Sequence, residues 1–146
     1  MSTELHPDYP LVTGDYQLMK GWRINLTQEF NRRIEEGSLV LWRPELTFWV
    51  NVWNNEGHAT VDEILTRLLA AASPDRRDEK IDTSAPMLRL TYELAEDDAE
   101  RDESTGQSIN GFVIYPSGYV QISAYYDSPQ ARALAYDTIA SIRANA

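Results

Sequence analysis

The chain has 146 residues, the size of one domain, and its hydrophobic and charged fractions of 42% and 25% exclude global disorder. Its 23 acidic and 13 basic side chains give a net charge of −10, which argues against binding to nucleic acids and anionic membranes. There is no cysteine, so disulfides, thiol catalysis and zinc–thiolate sites are excluded.

The beginning of the sequence predicts no targeting segment. The first ten residues, MSTELHPDYP, are polar and lack the apolar centre of a signal peptide. No apolar run approaches the ~20 residues of a membrane-spanning helix. We therefore expect a cytoplasmic protein.

An irregular lead-in and a hairpin come first. Residues 1–14 contain two prolines and a glycine and predict an irregular lead-in to a single domain over residues 15–146. Residues 15–26 alternate apolar and polar side chains on both sides of Lys20-Gly21, which predicts a hairpin with its turn at that dipeptide.

The segment 27–37 allows two interpretations. Phe30 and Ile34 are four residues apart and Gly37 could cap a helix, so a short helix fits. A turn at Gly37 would instead connect an edge strand over residues 31–36 to the next strand, and this is the interpretation we favour.

The strongest β signal lies in residues 38–53, SLVLWRPELTFWVNVW. Pro44 has no amide proton and suits the connection between two strands. In the second strand, apolar residues alternate with tryptophans and small polar residues. We expect the apolar face to lie in the core and the mixed face to lie under a helix or bind a partner.

Two amphipathic helices are predicted. Thr60 and Glu63 form a capping box at the start of the first helix. After this cap, an apolar stripe continues along the helix for about three turns. Ser128 and Pro129 are typical of the cap and first position of the second helix, whose apolar face continues to Ile142.

Three further strands are predicted at residues 87–94, 112–115 and 119–126, with a short edge strand near Ile81. Polar residues alternate with apolar ones in 87–94, which indicates a solvated face. Residues 96–103, EDDAERDE, predict a solvated hairpin tip or, as the alternative, a docking site for a basic partner.

Short connections favour antiparallel pairing. The sequence therefore predicts an α+β domain, a twisted antiparallel sheet of five to seven strands with two amphipathic helices packed on one face. The early strand that opens with Gly21-Trp22-Arg23-Ile24 and the closing helix at 128–143 resemble PsbP-like domains, whose bacterial relatives include DcrB-like proteins. Thr27 stands where such domains commonly have a proline. The resemblance covers residues 15–143 and implies a binding or assembly-factor role.

The motifs of catalysis and metal binding are incomplete. In GQSING (106–111) the closing glycine is one residue late for a nucleophile elbow, and a strand follows where a helix is needed. Residues 98–109 begin like a calcium loop but lack its central glycine and final glutamate. His58 lies near Glu56, Asp62 and Glu63, which is conceivable as a metal site, but the capping box accounts for Glu63. We predict no catalytic residue, metal or cofactor.

Two sets of aromatic residues remain as candidate binding residues. They either pack under helices and across strands, or form an open face, since Trp and Tyr are favoured interface anchors. We expect a non-catalytic protein-binding or chaperone-type module whose partner has a basic or apolar surface. The alternatives are a small-ligand binder or carboxylate-based enzyme with a sheet–helix cleft, and a homodimer through the same face. The candidate residues are Trp42, Trp49, Asn51, Trp53, Tyr119, Gln121 and Tyr125.

Overall fold

A computed structural model describes residues 7–19, 21–55, 57–74, 76–84, 87–95 and 107–144. The acidic segment 96–103 lies outside these ranges. The elements are β1 (Leu11–Met19), β2 (Trp22–Glu35), β3 (Ser38–Arg43), β4 (Leu46–Asn54), α1 (Val61–Ala71), β5 (Arg77–Ser84), β6 (Met87–Ala95), β7 (Gln107–Tyr115), β8 (Gly118–Tyr126), α2 (Pro129–Ala140) and β9 (Arg143–Ala144). No helix within these ranges is long and apolar enough to cross a membrane.

All strands described belong to one antiparallel sheet, with the order β1-β2-β3-β4-β8-β7-β6-β5 and with β9 paired to the start of β2. The sheet consists of two meanders, β1 to β4 and β5 to β8. They meet where β4 pairs with β8 along its whole length. Short connections between neighbours give the antiparallel pairing that the sequence predicts.

The ambiguous segment 27–37 is a strand as far as Glu35. It continues β2 without a break, and Phe30 contacts Phe48 in the core at a centroid distance of 5.6 Å. Glu36 and Gly37 have φ angles of 50° and 86°, as the central residues of a tight hairpin turn do. A four-residue spacing of apolar residues fits a strand as well as a helix, so the spacing could not decide between them.

The described residues form nine strands of the sheet, more than the five to seven predicted. β5 is a full edge strand of eight residues with the highly charged sequence RDEKIDTS, and such charge protects an exposed sheet edge. Residues 77–83 are all exposed, so neither side of the strand needs apolar residues and its sequence shows no alternation. β1 also begins at Leu11, inside the segment predicted as an irregular lead-in, because Leu11 and Val12 pair with β2 before a bulge at Gly14.

The two helices pack on opposite faces of the sheet, so the prediction that both lie on one face is wrong. Ile139 of α2 lies over Gly111, where an added Cβ would be 3.1 Å from its Cγ2 atom. Ile64 of α1 belongs to a cluster with the neighbouring residue Phe112. Successive residues of a strand point to opposite faces, and the two helices therefore do too.

Two hydrophobic cores result. The larger lies between α2 and the sheet and contains most of the buried residues of β2, β3, β4 and β8. The smaller lies under α1 and contains Ile64, Leu88, Leu90, Tyr92, Phe112 and Ile114. Because α1 packs on β6 and β7, it covers only one end of its face of the sheet. Within the described residues, no helix packs over the part of that face formed by β3, β4 and β8.

Candidate binding surface on the open sheet face

All the candidate binding residues lie on the face of the sheet opposite α2, and Tyr119 lies where this surface meets the cluster under α1. We call this surface the open face and define it by Trp42, Trp49, Asn51, Trp53, Tyr119, Gln121 and Tyr125. The registers of β3, β4 and β8 bring them together, with Trp42 opposite Thr47, Asn51 opposite Gln121 and Trp53 opposite Tyr119. The alternation within each strand, recognised in the sequence, therefore continues across three neighbouring strands.

Exposure varies across the open face. Trp53 is the most exposed tryptophan described, at 49%, while Trp49 and Gln121 are half-buried. Tyr119 packs against the cluster under α1. For this residue, the alternative that the aromatic side chains pack under a helix is therefore partly correct. The open face is thus a shallow surface with its aromatic rings partly available.

Trp42 forms one margin of the open face and is held there by two neighbours. The guanidinium of Arg33 lies over its ring, 4.6 Å from the centroid, and is also paired with Glu35 at 2.8 Å. Tyr9 contacts the ring edge-on at 5.0 Å. A cation over an aromatic ring stabilises its position, so this margin is preorganised.

Gln121 has a fixed amide orientation. Trp53 Nε1 donates a hydrogen bond of 3.3 Å to Gln121 Oε1. Because an indole nitrogen can only donate, the atom facing it must be the amide oxygen, and the Gln121 amide nitrogen is directed elsewhere. Asn51 Oδ1 likewise accepts from Ser38 Oγ at 2.9 Å. The amide oxygens are thus engaged within the protein.

The open face consequently presents hydrogen-bond donors. No described residue accepts a side-chain hydrogen bond from Trp49 Nε1, Asn51 Nδ2 or Gln121 Nε2. Towards β7, by contrast, Ser123 donates to Asn110, and Asn110 donates to Ser108. The donors beside the aromatic rings are therefore the groups available to a ligand that offers oxygen acceptors.

A buried carboxylate, Glu93, lies on the face of the sheet that α2 covers, and the sequence pattern did not predict its burial. Glu93 of β6 is 4% exposed and lies under α2, although the alternation of its strand predicted a solvated side chain. It accepts hydrogen bonds of 2.6 Å from Tyr126 and Tyr136, and it is paired with Arg132. The spacing of Arg132 and Tyr136, four residues apart on one helix face, is the only signal that could have suggested the cluster.

The environment of Glu93 indicates a structural role. Burial raises the pKa of Glu93, but the hydrogen bonds from Arg132, Tyr126 and Tyr136 outweigh it and lower the pKa from 4.5 to about 2. Burial and the bond to Glu93 raise the pKa of Tyr126 to about 12. A carboxylate that is fully ionised and saturated with donors at neutral pH is unsuited to acid–base catalysis. The cluster instead joins α2 to β6.

The metal site considered at His58 has no support among the described residues. They contain no group of three or more acidic or histidine side chains that could hold a metal ion. Glu63 forms the predicted capping box, accepting from Thr60 N at 2.9 Å while Thr60 Oγ1 accepts from Glu63 N at 3.1 Å. Glu56, a further ligand considered, lies outside the described ranges.

Comparison with known proteins supports the fold alone. No family model matches the chain, and no curated protein matches it. A crystal structure of a protein from Bacteroides thetaiotaomicron VPI-5482 resembles it with a TM-score of 0.61 and 15% sequence identity. The match covers 92% of this chain and 50% of that chain, so this chain spans half the length of the protein it resembles.

Proposed function

We propose that this chain is a non-catalytic protein-binding module, of the chaperone or assembly-factor type, that docks a partner on the open face. The observation that carries the proposal is that aromatic rings of β3, β4 and β8 lie beside N–H donors of β4 and β8 that bond to no described residue. Tryptophan and tyrosine are favoured anchors of protein interfaces because they bury a large area at little entropic cost.

The partner we propose has an apolar or hydrogen-bond-accepting contact surface and a basic region outside it. The net charge of −10 would steer such a partner during association. The cytoplasmic location and the resemblance to PsbP-like domains belong to the same proposal. Support for the resemblance is the order of elements, with Trp22 buried at the start of β2 and α2 near the end of the described chain.

Site-specific photo-crosslinking tests this proposal. A photoreactive phenylalanine derivative would replace Trp49 on the open face, and in a matched control it would replace Ile34, an exposed apolar residue on the opposite face. We expect an adduct with a second protein from position 49 and none from position 34. That protein, once purified, must also bind the unmodified chain.

Three other results would overturn protein docking in this form. An adduct of twice the mass of the chain from position 49 would instead establish the homodimer alternative. Adducts from position 34 alone, or from neither position, would show that the open face docks no protein. Sedimentation of the purified chain across concentrations separates a dimer from a complex with a second protein.

A second candidate function is small-ligand binding. A cleft of about 230 Å³ lies beside the Trp53 end of the open face, between the β4–α1 loop, α1 and Tyr119. Concave sites with an apolar lining and a few polar groups are typical of ligand sites.

A further inference from the structure

The cleft beside the open face has an apolar floor and a polar rim, and we call it the Arg67 cleft. Ile64, Leu68 and Tyr119 form the floor, and Asn54 and Arg67 lie at the rim. Its volume of about 230 Å³ is below the ~300 Å³ at which sites for drug-sized ligands begin. A single small group therefore fits it.

One wall of the Arg67 cleft is rigid. Asn55 Nδ2 donates to Ala59 O at 2.7 Å and to Pro116 O at 3.0 Å, while its Oδ1 accepts from Ala59 N at 3.0 Å. The backbone nitrogen of Asn55 also donates to Ser117 O. These bonds join the β4–α1 loop to the β7–β8 turn, so the cleft is formed before any ligand arrives.

Arg67 is the chemically unusual group at this cleft. No described carboxylate lies within ion-pair distance of Arg67. Arg43 and Arg89 also form no ion pair, but they donate to backbone carbonyls, and Arg67 has no such bond among the described residues. Glu63, four residues earlier on α1, is placed to pair with it. Its carboxylate accepts a hydrogen bond from Thr60 N, which lowers the pKa of Glu63, and the nearby charge of Arg67 lowers this pKa further without an ion pair. In a chain with ten more acids than bases, the Arg67 guanidinium thus lies at the rim of an apolar recess without a hydrogen bond to any carboxylate of the described residues.

We propose that the Arg67 cleft binds a small apolar or aromatic group that carries a carboxylate. The apolar part would cover Ile64 and Leu68, and the carboxylate would accept paired hydrogen bonds from Arg67. The proposal deepens the small-ligand alternative and does not depend on protein docking at the open face. Such a group is either a free carboxylic acid or the C-terminal residue of a polypeptide.

Binding of simple probes tests the site. Phenylacetate and its neutral counterpart phenylacetamide would be titrated into the full chain, with ¹H–¹⁵N NMR shifts followed at α1 and the β4–α1 loop. We expect phenylacetate to bind with a dissociation constant on the order of 0.1–1 mM, as suits about ten non-hydrogen atoms. Phenylacetamide should bind at least about fivefold more weakly, since it lacks the charge-assisted bond.

Variants of Arg67 then identify the group responsible. R67Q should abolish the preference for phenylacetate over phenylacetamide. R67K keeps the positive charge but not the paired hydrogen bonds, and it should retain part of the preference. R77Q removes a positive charge from the edge strand β5, which does not line the cleft, and as the matched control it should preserve the preference. Arg67 is exposed on α1, and circular dichroism would verify that each variant is folded.

The source of the carboxylate is decided by a second pair of probes. N-acetyl-Gly-Gly-Phe with a free C-terminus binding more tightly than phenylacetate would indicate a polypeptide terminus, and the reverse order a free acid. Equal binding of phenylacetate and phenylacetamide, binding of neither at 10 mM, or a preference that survives in R67Q would each overturn the proposal. None of these results bears on the cross-linking test of the open face.

Discussion

Trp53 and Gln121 join the two halves of the sheet on the open face, with Trp53 Nε1 donating a hydrogen bond of 3.3 Å to Gln121 Oε1. The bond crosses from β4 to β8, the strands at which the two meanders meet. It fixes the orientation of the Gln121 amide and directs its N–H donors away from the indole. One hydrogen bond thus fixes the orientation of both an aromatic side chain and an amide side chain of the candidate surface.

The exposure of Trp53 gives the first prediction. Trp53 is 49% exposed and Trp22 is 3% exposed, so Trp53 should supply most of the quencher-accessible fluorescence. We expect Trp53→Phe to lower the Stern–Volmer constant for acrylamide, a neutral quencher that the net negative charge does not repel. Trp42→Phe, at a ring partly covered by Arg33 and Tyr9, is the control and should change it less. Unchanged quenching in Trp53→Phe would contradict the exposed position of this indole.

A second prediction concerns acid stability and Glu93. Its folded-state pKa of about 2 lies below its ordinary value of 4.5, so its ionised form stabilises the protein above pH 4.5. This contribution, on the order of 2–3 kcal/mol, is lost as the pH falls through 2. We expect Glu93→Gln to reduce the free energy of unfolding in urea at pH 7 by about 2 kcal/mol or more.

The pH profile is the critical readout for Glu93. The difference in stability between the wild type and Glu93→Gln should shrink as the pH is lowered from 4.5 towards 2. A control, Glu29→Gln, removes an exposed carboxylate and should leave the profile nearly unchanged. Parallel profiles for the wild type and Glu93→Gln would exclude the low pKa.

A third prediction uses the close approach of the β7–β8 turn to β4. A Cβ atom on Gly118 would lie 2.1 Å from the Trp53 carbonyl oxygen, which is far inside contact distance. Gly118→Ala should therefore destabilise the protein by about 2–4 kcal/mol and disturb the Trp53 end of the open face. Gly57→Ala meets open space and should stay within about 0.5 kcal/mol of the wild type in urea unfolding. Equal stabilities of the two variants would refute this geometry.

A fourth prediction comes from the β3–β4 turn. Pro44 and Glu45 are its central residues, and Glu45 has a φ of 69°, as the second central residue of a type II turn does. A side chain is strained in this conformation, while glycine is not. We expect Glu45→Gly to raise the free energy of unfolding by about 0.5 kcal/mol. Thr27→Gly, at an exposed strand position, should lower it, and a loss of stability in both variants would argue against the turn type.

How far the sequence could predict this molecule depends on the element. The alternation in β4 assigned Phe48 and Trp49 to opposite faces, and both helix caps were confirmed at Thr60 and Ser128. Alternation within one strand does not say which side of the sheet a face belongs to. The apolar faces of β4 and β6 point to opposite sides, and this follows only from the register through β8 and β7.

The same limit explains the missed carboxylate. Glu93 has the polar alternation of a solvated strand position, but α2 returns over it after β8 and supplies Arg132 and Tyr136. Contacts between residues about forty positions apart leave no periodic signal in a single sequence. That the candidate residues of β4 share a face with those of β8 was easier to predict, because both strands alternate strongly and pair directly with each other. Which elements cover that face could not be predicted.

The measurement that tests the docking proposal most directly is the affinity of the cross-linked partner for variants of each sheet face. The double variant Trp49→Ala/Gln121→Ala should weaken binding at least about tenfold, since it removes an anchor and an aligned donor. Ile34→Ala, on the opposite face, should leave the dissociation constant within about twofold of the wild type. Unchanged affinity in the double variant, or a loss confined to Ile34→Ala, would contradict docking on the open face.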